Sequence, residues 1–136
     1  MSENAAVLFA NEAFYGSFAE GDYDAMDSLW AQSVPVSCIH PGWNPLDGRE
    51  MVMATWNAIL SNPQSQKITC LGPKAVVLGD SALVTCYEEV GGDMLVATNY
   101  FIKEGKRWRL VHHQAGPTAM KPTIDEDDED EATQIN

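Results

Sequence analysis

The chain has 136 residues, 45% of them hydrophobic, which suits one globular domain with its own core. Eight Lys and Arg stand against twenty Asp and Glu, a net charge of −12, so the chain offers no basic patch for phosphates and no nucleic-acid partner is expected. No apolar run approaches the ~20 residues of a membrane helix, so no membrane partner is expected either.

From Asn4 to Ala19 the apolar residues recur at helical spacing: Val7, Ala10, Phe14 and Phe18, with Leu8 and Tyr15 beside them. The opening residues carry Glu3 and no Lys or Arg, unlike a signal peptide, so a cytoplasmic location is expected. Gly21 suits the helix end and Asp22 the cap of a second, short helix, where Tyr23, Met26, Leu29 and Trp30 share a face. "VPVSCIH", Val34 to His40, is a β-type run that Pro35 confines to an edge or a strand start. "PGWNPLDG" is a loop, and Asp47 with Glu50 forms a capping-box-like pair for a third helix. Val52, Thr55, Trp56, Ile59 and Leu60 mark one face of that helix, and Asn62-Pro63 ends it.

Everything after that reads as β: "QKITCLGPKAVVLGD", "SALVTCYEEV", "MLVATNYFIK" and "KRWRLVHHQA", separated by turns at Gly79-Asp80, Gly91–Asp93 and Glu104-Gly105. Helices first and an antiparallel sheet afterwards is an α+β order. Residues 1–120 are expected to form the single domain. "DEDDEDE", Asp125 to Glu131, holds seven of the acidic residues and leaves thirteen against eight basic ones elsewhere. Residues 121–136 are therefore expected to be a disordered acidic tail, either a solvating segment or an arm for a basic partner.

Cys38, Cys70 and Cys86 are odd in number, fall in strand-like runs and form no C-x-x-C pair, so they read as buried thiols. The three histidines lack the i, i+4 spacing of a helical zinc site, and neither G-x-S-x-G nor a P-loop occurs. No metal and no cofactor is expected.

Counting from a Glu104-Gly105 loop pairs Phe101 with Trp108, Asn99 with Leu110, Ala97 with His112 and Leu95 with Gln114. A two-residue loop within Gly91–Asp93 adds Val84, Cys86 and Glu88 to the same face; a three-residue loop would bring Tyr87 and Glu89 there instead. That face is mostly apolar and should lie under the helices. Its polar exceptions are Glu88, Asn99, His112 and Gln114, the mixture a ligand pocket needs. His113 is expected outside.

Helices followed by such a sheet, with "CIHPGWNPLDGREMVMATW" and "ATNYFIKEGKRWRLVHHQAGP", resemble the SnoaL-like branch of the nuclear transport factor 2-like superfamily over roughly residues 5 to 118. The closing W-x-x-V-H-x pattern is also similar to the association domain of calmodulin-dependent protein kinases. The resemblance implies N-terminal helices packed on a strongly curved antiparallel sheet, a cystatin-like cone, and a homodimer through the sheet. The family includes isomerases, polyketide cyclases, dehydratases, and domains that only bind or assemble, so fold alone does not select a reaction. Its cyclases and ketosteroid isomerases move a proton beside a carbonyl with a carboxylate, while donors hold the oxyanion. The inward Asp–His pair of the cyclases has no counterpart here.

The resemblance makes Glu88 the candidate base, with His112 and Tyr15 as candidate donors; His40 is a further donor. A surface glutamate, a histidine satisfied by the sheet and a tyrosine packed in the core are the structural alternatives. The substrate-binding candidates are His40, Trp43, Trp56, Asn99, Trp108 and Gln114. The size of Trp56 and Trp108 also accounts for their burial, and Asn99 and Gln114 either meet a ligand or tie strands together. His40 and Trp43 are expected as neighbours at a pocket mouth. Two functions follow: a binder of a small apolar carbonyl compound with proton-transfer activity, or a non-catalytic dimeric binding or assembly module.

Overall fold

The computed structural model describes residues 1–65 and 67–119. The expected acidic tail of residues 121–136 lies outside them, as does the last residue of the expected 1–120 domain.

Helix α1 (Glu3–Glu20) starts at Ser2, whose hydroxyl accepts from the Ala5 amide at 3.1 Å. It ends at Gly21, which takes φ 65 and donates to Phe18 O at 3.2 Å, while the Asp22 amide reaches Ser17 O at 3.0 Å. This is the paired carbonyl closure that glycine makes accessible. Asp22 then caps α2 (Tyr23–Leu29) through the Ala25 amide. Two short strands follow, β1 (Ser37–Ile39) and β2 (Leu46–Asp47), and then α3 (Arg49–Ser61). Asp47 does not cap α3: it pairs with Ser37 in the sheet, and Gly48 occupies the cap position at φ 90. There Gly48 hydrogen-bonds Val36 O at 2.8 Å. An L side chain resists that φ, so the strand-to-helix step depends on glycine.

Four long strands complete the chain: β3 (Ile68–Leu78), β4 (Ser81–Val90), β5 (Asp93–Glu104) and β6 (Arg107–Pro117). The sheet order is β2-β1-β6-β5-β4-β3. It is mixed rather than wholly antiparallel, because β1 runs parallel to β6. The helices cover one face. The core they enclose joins Val7 and Phe14 of α1, Met26, Trp30, Val52 and Trp56 to Val84, Ala97, Phe101 and Leu110 of the strands.

Two irregularities set the faces. In β3, Gly72 and Pro73 stand opposite Cys86 alone, between the pairs Leu71–Tyr87 and Lys74–Thr85. In β6, Phe101 pairs with Leu110 but Tyr100 pairs with His112, leaving Val111 as an inserted residue. Such bulges bend a strand and reverse its alternation beyond the insertion.

The β4–β5 turn is the two-residue Gly91–Gly92 loop, and Glu88 faces inward with Val84 and Cys86, 1% exposed. The β5–β6 turn is Gly105–Lys106, not Glu104–Gly105, so that Gly105 takes the first loop position at φ 64. This moves the expected pairs by two residues, which preserves the faces of Trp108 and Leu110. Beyond Val111 it does not. His113 and Ala115 turn inward, 3% and 5% exposed, while His112 and Gln114 turn outward.

Candidate functional site

The inward polar residues converge on the first helix. Asn11 and Tyr15 lie one turn apart on the face of α1 that also carries Val7 and Phe14, so both side chains descend onto the sheet. The Tyr15 hydroxyl donates to Glu88 Oε2 at 2.6 Å. Asn99 Nδ2 bonds both the Tyr15 oxygen, at 3.1 Å, and Asn11 Oδ1, at 2.9 Å. His113 Nδ1 lies 2.5 Å from Asn99 Oδ1. An amide oxygen only accepts, so Nδ1 carries the proton and Nε2 keeps its lone pair. That nitrogen is 4.0 Å from Glu88 Oε2. The result is one directed chain, His113 to Asn99 to Tyr15 to Glu88, within an apolar interior.

Burial sets its electrostatics. Desolvation raises the Glu88 carboxyl above its ordinary range, opposed by the Tyr15 hydrogen bond. Burial likewise raises Tyr15, reinforced by Cys86 and Glu88. His113 is lowered to about 3 by burial, helped by the neighbouring His40 and His112. A proton acceptor and a carboxyl that both favour the neutral state therefore face each other across one short gap.

A second cluster lies beyond Trp56. His40 packs edge-on against Trp56 at 4.9 Å between ring centres and against Trp43 at 5.2 Å. Its Nε2 lies 2.9 Å from Thr55 Oγ1. The Thr55 hydroxyl gives its hydrogen to Val52 O, so the imidazole is the donor. Burial lowers His40 to about 4. Trp43 is 53% exposed and covers the outer side of the ring.

Of the residues expected at a site, the structure brings Glu88, Tyr15 and Asn99 together, and Trp56 borders them through His113 at 6.0 Å. His40 and Trp43 are neighbours on the far side of Trp56. His112 and Gln114 are excluded from the interior because the Val111 bulge reverses them; His112 instead bonds Ser37 Oγ at 2.7 Å on the other face. Trp108 is buried at the hairpin end of β6, five residues from His113 and roughly 16 Å along the strand, so it packs another part of the core.

His113 and Asn11 are the residues the sequence reading missed. Asn11 carried a signal, a polar residue one turn before Tyr15 on an apolar stripe. Among the described residues the indole N–H groups of Trp30, Trp56 and Trp108 are buried without an acceptor. A groove of about 180 Å³ between the ends of α1 and α3, lined by Phe18, Gly21, Leu60 and Lys67 among others, is separate from the polar chain. No group of three His, Cys, Asp or Glu side chains suited to a metal occurs among the described residues, and none of their helices is long and apolar enough to cross a membrane.

Known proteins share this architecture. A crystal structure of a candidate dehydratase of the nuclear transport factor 2-like family from Streptomyces avermitilis superposes with a TM-score of 0.79 at 34% identity, over 87% of this chain and 97% of that one. A candidate calcium/calmodulin-dependent protein kinase type II association domain from Thiobacillus denitrificans does so at 0.68 and 29% identity, over 80% and 92%. A cystatin-like fold protein from Nostoc punctiforme, at 14% identity and a TM-score of 0.70 over 88% and 94%, shares the fold alone. The F-box protein SKIP8 of Arabidopsis thaliana is 29% identical over 112 residues, 81% of this chain and 48% of that protein, so the chain spans about half the length of this curated relative. The model of the SnoaL-like domain matches residues 7–120, and the chain belongs to that family within the nuclear transport factor 2-like superfamily.

Proposed function

We propose that the interior between helices and sheet binds a small apolar carbonyl compound and moves a proton on it, with Glu88 and His113 as the acid–base pair. The observation that carries this reading is the buried Glu88 oxygen held at 2.6 Å by Tyr15 and faced at 4.0 Å by the free nitrogen of His113. A carboxylate in such surroundings binds protons more tightly than in water, as removal of a proton beside a carbonyl requires. The oxygen on which charge develops needs donors. The Trp56 indole has an unused N–H, whereas the Tyr15 and Asn99 hydrogens would have to leave Glu88, Asn11 and the Tyr15 oxygen to serve it. His113, neutral at physiological pH, takes up or returns the proton. With a β-hydroxy carbonyl substrate the same abstraction expels hydroxide, which is a dehydration, the reaction class named for the Streptomyces avermitilis relative.

The test is turnover of a panel of β-hydroxy carbonyl compounds by the native chain and by Glu88→Gln, which keeps the side chain's shape. A loss on the order of 100-fold or more is expected in the variant. Equal turnover by both proteins, or none by the native chain, would remove the catalytic role.

A second reading has its own observation. On the sheet face that the helices leave open, Val76, Leu78 and Val96 are 54%, 56% and 45% exposed. Burying them against a second copy gives a homodimer through the sheet, and the similarity to an association domain supports self-association. Light scattering should give a dimer mass that Leu78→Lys with Val96→Lys reduces to the monomer; a native monomer at micromolar concentration would refute it.

A further inference from the structure

Two thiols share the concave face with the polar chain. Cys70 pairs directly with Glu88 across β3 and β4, and Cys86 lies two residues before Glu88, opposite the β3 bulge. The three residues therefore stand on one face of two adjacent strands. Each thiol is also tied to α1. Cys70 Sγ is 3.7 Å from Asn11 Nδ2, and Cys86 Sγ is 3.2 Å from the Tyr15 oxygen. Asn11 and Tyr15 are in turn held by a single nitrogen, Asn99 Nδ2, so both thiols touch one hydrogen-bonded network.

The thiols differ in character. Cys86 is 3% exposed, whereas Cys70, near the start of the edge strand β3, is only partly buried. A hydrogen bond from Cys86 is the leading influence lowering Cys70 below the ordinary thiol range; for Cys86 the same bond is the leading influence in the opposite direction. A partly accessible sulfur on the same sheet face as a buried partner thiol is the arrangement of an attacking and a resolving cysteine.

We propose that Cys70 and Cys86 form an oxidisable pair that hydrogen peroxide converts to an intramolecular disulfide. The Cys70 thiolate attacks one peroxide oxygen; the O–O bond breaks, and hydroxide leaves and is protonated to water. Cys70 is then a sulfenic acid. Cys86 sulfur attacks the Cys70 sulfur, the S–O bond breaks, and the departing hydroxide takes the Cys86 proton. Two thiols and one peroxide become one disulfide and two waters. The bond consumes the Cys86 thiol that lies 3.2 Å from the Tyr15 oxygen and so reaches the network that holds Glu88. This inference stands whether or not Glu88 catalyses anything. Cys38 takes no part: it is fully buried, touches His40 at 3.8 Å, and burial pushes its thiol up to about 12.

The full chain permits a direct test. Trypsin cleavage after Arg49, Lys67, Lys74 and Lys103 places the three cysteines on three different peptides. Peroxide treatment, alkylation and non-reducing peptide mapping should give the Cys70 peptide cross-linked to the Cys86 peptide, with a loss of two hydrogens that dithiothreitol reverses. The cross-link should persist in Cys38→Ala and vanish in Cys70→Ser and in Cys86→Ser. Oxidation of the native chain that stops at sulfinic acid on Cys70, that joins Cys38, or that links two chains through Cys70 would overturn the assignment. Because the native chain alone decides this, a variant that fails to fold does not blur the result.

Discussion

His113 and His40 pack against the same indole, Trp56, yet the two regions are built for different ends. Both rings are nearly fully buried, 3% and 5% exposed, and burial lowers both, to about 3 and about 4. The difference lies in what each nitrogen meets. His113 spends one nitrogen on Asn99 and turns the other toward a carboxyl that is itself held by Tyr15. His40 spends its Nε2 on a threonine hydroxyl already committed to the backbone, and its ring is enclosed by two tryptophans. Equal burial and similar proton affinity thus yield a candidate acid–base centre in one place and an anchor in the other. Depth and pKa shift alone do not identify a reactive histidine; what its second nitrogen faces does, a carboxyl for His113 and the Cys38 sulfur, 3.9 Å from Nδ1, for His40.

The most damaging way to probe the comparison is to remove the shared wall. Trp56→Ala should cost about 4 kcal/mol in urea unfolding and loosen both rings together. A loss confined to one cluster, visible as an unchanged environment at the other histidine by NMR, would show that the two are independently supported. Next comes Asn99→Ala, which strands His113 Nδ1 and Asn11 Oδ1 in the interior and should cost about 3 kcal/mol. His40 should be unaffected, so a shifted His40 resonance would break the proposed separation.

The histidines also predict a pH dependence. Between pH 6.5 and about 4 an unfolded chain takes up protons at both rings while the folded chain does not. Their contribution is whole above pH 6.5 and is lost on acidification, by about 1.4 kcal/mol per unit for each ring. Glu88, whose carboxyl is raised, acts oppositely: its contribution is present at low pH and lost as pH rises through its folded value. Denaturation at pH 7 and pH 5 should show a net slope that His40→Gln makes clearly smaller; an unchanged slope would mean that His40 protonates freely in the folded state. The smallest effect belongs to Trp43→Ala. The half-exposed indole contributes an edge-on contact with His40, so about 1 kcal/mol is expected. If ligand binding falls while stability holds, the loop borders a binding site; if stability alone falls, Trp43 is only a cover.

Much of the architecture was legible because it is written in local chemistry. Asp22 caps where short polar residues cap, Gly21 ends a helix that only a left-handed residue can close, and Asn62-Pro63 stops α3. Between the two loops the glycines allow, the structure takes the two-residue Gly91–Gly92 turn, and simple alternation then makes Glu88 inward. Asp47 misled because a capping residue and a short strand residue look alike until the strand has its partner. Gly48 carried the positive φ instead.

The sequence by itself determined the order of the helices and the long strands and the family, and narrowed the inward set of β4 to two alternatives, because helix periodicity, caps and tight turns act within a few residues. It did not determine which of two adjacent histidines enters the interior. That choice rests on Val111, inserted where β6 changes neighbour: Leu110 bridges Trp30, and His112 begins the parallel pairing with β1 at Ser37. Ser37 lies 75 residues away along the chain, and nothing near Val111 marks the insertion. Alternation counts residues, whereas a bulge is set by the strand that must be met, so only the tertiary pairing could turn His112 out and His113 in.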